Sequence, residues 1–294
     1  MSKVSIIIPA RGETRENLEG TLKSIYDNVK GDFEVIVGLN GIPDDYYDLV
    51  KPKLNVIDFP RNVGIKTNIN ALVALAEGDY IFKTDAHCSF SKGFDEILKA
   101  DMQDDWIVTP RFYVLDGKTW RWQDERFYDY FYLSCPFTDK RGIRFKAGGH
   151  WPERTREREA SHLHLDETPQ IHGSAWFIKK DHFFRLGGFP IEDDPYGHGQ
   201  EPIWLALKNW IRGGKVMVNK KVWYAHLHQN SKDRGYPEDK KATEFTYKYT
   251  ADYWLRNKDP KKKYIFDWFV NRFMPMPTWP DNWSELYENY LIYG

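Results

Sequence analysis

The sequence predicts a doubly wound α/β sheet with helices on both faces, and two observations carry the prediction. Short apolar runs that end in turn residues alternate with stretches of helical period through the first 110 residues. The runs are continuously apolar rather than alternating, which marks strands buried on both faces, and ligands of such sheets bind beyond the carboxyl ends of the strands.

Residues 4–9, Val-Ser-Ile-Ile-Ile-Pro, read as a buried strand opening into a loop. Residues 15–29 then place Leu18, Leu22, Ile25 and Val29 at helical spacing, with Thr14 as the cap. A second strand, 33–39, stops at the turn signal Asn40-Gly41, and 54–59 supplies a third. Over 64–76, Ile65, Ile69, Leu72, Val73 and Ala76 recur with helical period, and Gly78 ends that helix before the strand 80–84. After Pro110 the pattern breaks into an aromatic and arginine-rich stretch, 111–167, which reads as an insertion with few regular elements. Order returns with a strand over 171–178, helices over 181–186 and 201–211, and short strands over 215–218 and 222–225. From residue 237 a helix runs to about 256, and the Pro- and Trp-rich tail reads as a packed extension.

At 294 residues with 41% hydrophobic content, the chain can bury a large core. The net charge of -1 steers no partner in bulk, although lysines gather over 208–263 and the last thirty or so residues are mildly acidic. Two cysteines, Cys88 and Cys135, offer neither a disulfide framework nor a thiolate zinc site and are expected as free thiols. With no basic leader and no apolar run long enough to cross a bilayer, the expected location is the cytoplasm.

The sharpest chemical feature is Thr84-Asp85-Ala86-His87 at the end of an apolar strand. In extended chain Asp85 and His87 project to one side, where a carboxylate oxygen and an imidazole nitrogen suit manganese or a related divalent ion such as magnesium. A third candidate ligand lies in Tyr224-Ala225-His226-Leu227-His228, again at a strand end, where His226 and His228 share a face.

Around these residues the chain resembles glycosyltransferase family 2, and more closely the polypeptide N-acetylgalactosaminyltransferases, whose metal motif is Asp-x-His. The resemblance rests on Arg61-Asn62-Val63-Gly64, Asn70, Ala76-Glu77-Gly78-Asp79-Tyr80-Ile81 and Asp85-Ala86-His87-Cys88. In the second half it rests on His172-Gly173-Ser174-Ala175-Trp176-Phe177, Leu186-Gly187-Gly188-Phe189 and Tyr196-Gly197-His198-Gly199-Gln200-Glu201. It covers roughly residues 3–228, and it implies a GT-A fold and transfer of a sugar from a nucleotide diphosphate donor, with UDP as the nucleotide. It further implies that Asp85, His87 and His226 bind Mn2+ or Mg2+. The nucleotide would lie across Pro9, Arg11, Asn40, Asn62 and Gly64, with Lys66 meeting diphosphate charge and Asn70 on the donor side. Glu201 would face the donor sugar with Gly173 beneath it. The implied organisation is a domain over 1–228, comprising a nucleotide-binding half (1–110), the insertion (111–170) and a sugar and acceptor half (171–228), followed by a helical extension over 229–294.

One departure bears on mechanism. Inverting members follow the acidic residue with an aspartate that serves as base, whereas Glu201 is followed by Pro202, which favours a retaining outcome. Asp193 and Asp194 are the alternative acid–base candidates. For the acceptor, arginines interleaved with aromatic residues over 111–158 resemble bacteriophage enzymes that glycosylate hydroxymethylated pyrimidines, making DNA a candidate partner in a host cytoplasm. A cell-surface or capsular saccharide is the alternative. A nucleotidyltransferase or a non-catalytic nucleotide-sugar binding module would share the sheet. The sequence leaves the oligomeric state open.

Overall fold

The computed structural model describes residues 2–41, 52–146, 148–159, 161–191, 199–228, 235–237 and 239–294. Its first third follows the apolar pattern closely. β1 (Val4–Ala10), α1 (Arg15–Asn28), β2 (Phe33–Asn40), β3 (Leu54–Phe59), α2 (Ile65–Leu75) and β4 (Tyr80–Thr84) lie within one residue of the expected bounds at each end. Thr14 caps α1, its side chain accepting from the Asn17 N–H. These four strands are parallel in the order β3-β2-β1-β4. The chain steps outward from β1 and then returns to its other side, a reversal that opens a crevice beyond the carboxyl ends of β1 and β4.

The chain continues through β5 (Cys88–Phe90), α3 (Phe94–Ala100) and β6 (Trp106–Asp116). The stretch expected as an insertion of few elements is woven into the sheet instead. β7 (Arg121–Tyr128) folds back antiparallel on β6, β8 (Phe131–Tyr132) and β9 (Gly149–His150) form a small ladder, α4 (Pro152–Glu159) follows, and β10 (Leu165–Glu167) joins the sheet at its end. β7 escaped notice because it is exposed along most of its length, so its Arg, Gln, Asp and Glu residues hide the strand period.

β11 (Ala175–Lys179) is shorter than the expected 171–178, since His172 and Ala175 already bridge across a tight turn. It runs antiparallel between β4 and β6 and is followed by α5 (Lys180–Leu186) and α6 (Glu201–Ile211). The two short strands expected near 215 and 222 are one strand, β12 (Lys215–His226), parallel to β6 with a register shift between Asn219 and Trp223. The ten-stranded sheet is therefore mixed, ordered β10-β12-β6-β11-β4-β1-β2-β3, with β5 on β12 and β7 on β6.

Alternation along β1 separates two apolar layers. Ile6 and Ile8 pack with Leu18, Leu22 and Ile25 of α1 and with Phe94 and Leu98 of α3. Ile7 faces the other side, with Ile69 and Leu72 of α2 and Ile203, Trp204 and Leu207 of α6. The expected tail holds two more helices after α7 (Lys240–Leu255): α8 (Phe266–Phe273) and α9 (Trp283–Tyr293). Trp254, Phe266, Phe269 and Trp283 enter the α2–α6 layer, so the extension shares the core of the sheet. Among the described residues no helix is long and apolar enough to cross a membrane.

Candidate active site

A cleft of about 640 Å³ opens at the carboxyl ends of β1, β2 and β4, within the usual range for small-molecule sites. Register explains why distant residues meet there. β5 pairs antiparallel with β12 so that Cys88 lies opposite His226, and the Leu227 N–H donates to the His87 carbonyl at 3.0 Å. On the other flank the Asp85 N–H donates to the Ser174 carbonyl at 3.0 Å, tying the end of β4 to the turn before β11.

Asp85, His87 and His226 come together at the floor of this cleft, with one potential ligand atom from each lying within 4.8 Å of the others. His87 Nε2 is 3.0 Å from His226 Nε2, which is 3.3 Å from Asp85 Oδ2. Adjacent ligands of a six-coordinate ion bound at about 2.1 Å lie about 3 Å apart, so the donor set fits a divalent cation.

The charge of each ligand is set by its surroundings. Burial alone would push the Asp85 carboxyl up, but the Lys83 ammonium and the contact with His226 outweigh it and hold the group well below the usual carboxylate range. Lys83 is 1% exposed, pairs with Asp85 Oδ1 and donates to the Gly173 carbonyl at 2.7 Å. Burial likewise opposes protonation of His87, yet the bond to Glu13 and the Asp85 charge raise it above the ordinary histidine value. For His226 burial wins, depressing the imidazole to about 4 against the pull of Asp85. Neither Lys83 nor Glu13 announced itself in the sequence, because each acts through a side chain reached only by folding.

The residues expected on the nucleotide side divide into two groups. Pro9, Arg11, Asn40, Asn62 and Gly64 line the cleft. Asn40 accepts from the Val63 N–H at 2.8 Å and Asn62 from the Gly64 N–H at 3.0 Å, so the two asparagines build the loop that leads into α2. Gly64 itself has a φ of 80° and gives α2 no side-chain cap, which leaves the helix N-terminus to a ligand. Lys66 and Asn70, expected on the donor side, do not line the cleft. Lys66 is 2% exposed with its ammonium 5.6 Å from the centre of the Trp204 ring, because this side of the first turn of α2 faces α6. Asn70 lies one turn further and clamps the Gly187-Gly188 turn, donating to the Phe189 carbonyl at 2.9 Å and accepting from its N–H at 3.0 Å.

At the other end of the cleft, Glu201 starts α6 and its Oε2 is buried with no hydrogen-bond partner among the described residues. A Cβ on Gly173 would meet Pro202 Cγ at 2.8 Å and Glu201 Oε1 at 3.9 Å, so the close packing of the β11 turn on α6 requires glycine there. Asp193 and Asp194 lie outside the described residues. Three aromatic or imidazole rings form the wall here: His172, Phe131 and His150. His172 is 1% exposed with neither ring nitrogen bonded among the described residues, and the Phe131 ring centre lies 4.2 Å from its ring centre; the His150 ring centre is 4.5 Å from that of Phe131. Burial holds His172 well below the ordinary histidine value and lowers His150 to about 4, so both are neutral at pH 7. Tyr236 and Tyr247, from beyond β12, also line the cleft, with the Arg11 guanidinium 4.4 Å from the Tyr236 ring centre.

Comparison with known proteins adds a family and a fold. Residues 5–183 match the model of the family described as Glycosyl transferase family 2. The chain is 23% identical over 237 residues to polypeptide N-acetylgalactosaminyltransferase 5 of Caenorhabditis elegans, covering 74% of this chain and 36% of that protein. It is 27% identical over 187 residues to polypeptide N-acetylgalactosaminyltransferase 15 of Homo sapiens, covering 61% of this chain and 27% of that protein. The chain thus spans well under half the length of these curated relatives. Among solved structures it is similar to GalNAc-T7 with UDP, GalNAc and Mn2+, with a TM-score of 0.69 at 17% identity over 92% of this chain and 56% of that one. It is also similar to a mannosyltransferase of Pyrobaculum calidifontis in complex with GDP-Man and Mn2+, with a TM-score of 0.51 at 16% identity over 78% of this chain and 58% of that one. The expected GT-A fold, with its mixed sheet and helices on both faces, is the fold of these structures.

Proposed function

The chain belongs to glycosyl transferase family 2, and from that membership we propose that it transfers a sugar from a nucleotide diphosphate donor to a saccharide hydroxyl, with a divalent cation held by Asp85, His87 and His226. The observation that carries the reading is the meeting of these three side chains in the cleft, which the loop of Asn40, Asn62 and Gly64 and the packing of Gly173 on the start of α6 also line. When bound, the cation neutralises charge on the departing diphosphate. Two imidazoles and a carboxylate favour manganese over magnesium, which prefers oxygen ligands. The similarity to GalNAc-T7, solved with UDP, makes a UDP-sugar the first donor to test, and the similarity to a mannosyltransferase solved with GDP-Man makes GDP-mannose the second.

The protein's own residues divide the remaining work. Arg11 and the N-terminus of α2 face the anionic part of the donor, and the buried Glu201 Oε2 is placed to accept from a sugar hydroxyl. With Pro202 in the position after Glu201, no carboxylate stands there as a base, and a retaining outcome follows, in which the donor phosphate takes the acceptor proton.

A neutral saccharide acceptor is favoured over DNA by charge. The wall of Phe131, His150 and His172 is apolar or uncharged, while Arg111, Arg126, Arg144, Arg156 and Arg158 are engaged by Asp129, Asp124, Glu244, Glu153 and Asp166. Those arginines gave the sequence its likeness to DNA-modifying enzymes, and pairing reduces what they offer phosphates. The experiment is hydrolysis and transfer with a panel of nucleotide sugars and Mn2+, against oligosaccharides and hydroxymethylated DNA, with the anomeric product read by NMR. Sugar transfer to oligosaccharide that Asp85→Ala abolishes is the expected result. Transfer unaffected by Asp85→Ala removes the cation assignment, and transfer to DNA alone removes the saccharide.

A further inference from the structure

Glu13 lies in the loop between β1 and α1, 74 residues from His87, whose ring it touches. Its side chain is 6% exposed, and Oε2 is 2.6 Å from His87 Nδ1. The other oxygen is held in turn, accepting from Asn17 Nδ2 at 2.7 Å and from the Thr14 N–H at 3.3 Å. An ionised carboxylate can only accept, so the contact places a hydrogen on His87 Nδ1 and leaves Nε2 to face His226 and the cleft.

We propose that Glu13 is a positioning residue for the cation: it fixes the His87 ring so that Nε2 points at the ion, and it couples the nucleotide-side loop to the cation site. The proposal rests on the reading of Asp85, His87 and His226 as cation ligands. A carboxylate behind a ligating imidazole orients the ring and raises its basicity, and losing such a group typically weakens metal binding 10–100-fold. The three ligands are not equally prepared. Asp85 is backed by Lys83 and His87 by Glu13, whereas His226 Nδ1 is buried with no hydrogen-bond partner among the described residues. Glu13 also shares its short loop with Arg11, so the ring orientation of His87 and the placement of a cleft-lining guanidinium depend on one segment.

The test is a Mn2+ titration of the full chain followed by electron paramagnetic resonance, with UDP binding measured in parallel with and without Mn2+. Glu13→Leu is expected to weaken Mn2+ about 10–100-fold and to shrink the gain in UDP affinity that Mn2+ confers. Glu13→Gln keeps an accepting oxygen without the charge and should lose less, about threefold to tenfold. If Glu13→Leu does not fold, the isosteric glutamine decides, and wild-type Mn2+ affinity in that variant overturns the proposal. Wild-type affinity in a folded Glu13→Leu protein overturns it equally, provided Asp85→Ala weakens binding. If Asp85→Ala also binds Mn2+ as the wild type does, the cation reading itself falls and this inference falls with it.

Discussion

Two buried lysines flank the indole of Trp204: Lys66 Nζ lies 5.6 Å and Lys208 Nζ 5.8 Å from the ring centre. From the sequence Lys66 is a candidate to meet diphosphate charge, and packing of α2 on α6 buries it beside Trp204. Lys208 is 6% exposed, and burial lowers its ammonium to about 8, with Arg212 adding to the shift. Its folded value lies below the unfolded 10.5, so below pH 8 the folded state carries the full burial cost, which is relieved as pH rises from 8 to 10.5. A shift of that size is worth roughly 3 kcal/mol, and the bond to the Gly188 carbonyl offsets about 1–2 kcal/mol of what removal would gain. Lys208→Met should therefore be more stable than the wild type at pH 7 by about 1 kcal/mol, with the difference shrinking above pH 8, as urea unfolding at both ends of that window would read. Asp85 and His87 were legible as a pair because residues two apart at a strand end share a face, and His226 as a third candidate only through the family resemblance and its own strand-end position. Glu13 and Lys83 were not, since a carboxylate or ammonium becomes a support only when folding brings a ligand to it.

Elements with an unbroken apolar run or a clear helical stripe were legible almost to the residue, as β1, α2, β4 and α6 show. Those whose pairing depends on remote partners were hidden. β10 is three residues long and exists through its ladder with β12, and β7 exists through β6. The break foreseen between 218 and 222 is a register shift within β12, where polar Asn219, Lys220 and Lys221 interrupt the apolar pattern without ending the strand. The clamp between α2 and the turn after α5 is a testable case. Asn70→Ala leaves the buried Phe189 backbone groups without their partner and should cost about 1–3 kcal/mol by chemical denaturation. UDP affinity by calorimetry should stay unchanged, and a large fall in affinity without a fall in stability would return Asn70 to the donor site.

Across the whole molecule, one layer of core runs from the nucleotide-side helix α2 through α6 to the terminal helices. The sequence foretold a packed extension, but how deeply it enters could not be read, since Trp- and Phe-rich tails look alike whether they cover a core or a partner. Ending the chain after residue 256 would remove Phe266, Phe269, Phe273, Trp279, Trp283 and Tyr287, all buried. At roughly 1.5–3 kcal/mol for each large side chain, the loss matches or exceeds the 5–15 kcal/mol by which domains are usually stable. Such a truncation should show no cooperative melting by circular dichroism, and a sharp transition near that of the full chain would mean that the extension stabilises little. The extension also brings Tyr236 and Tyr247 to the cleft, so core and site are closed by the same segment.

The central claim is that Asp85, His87 and His226 act together on one cation that secures the donor diphosphate. Calorimetric binding of UDP to the wild type, Asp85→Asn and His226→Ala, each with and without Mn2+, tests it most directly. Manganese should tighten UDP in the wild type tenfold or more, about 1.4 kcal/mol, and do nothing in either variant. Equal tightening in all three proteins would contradict the account.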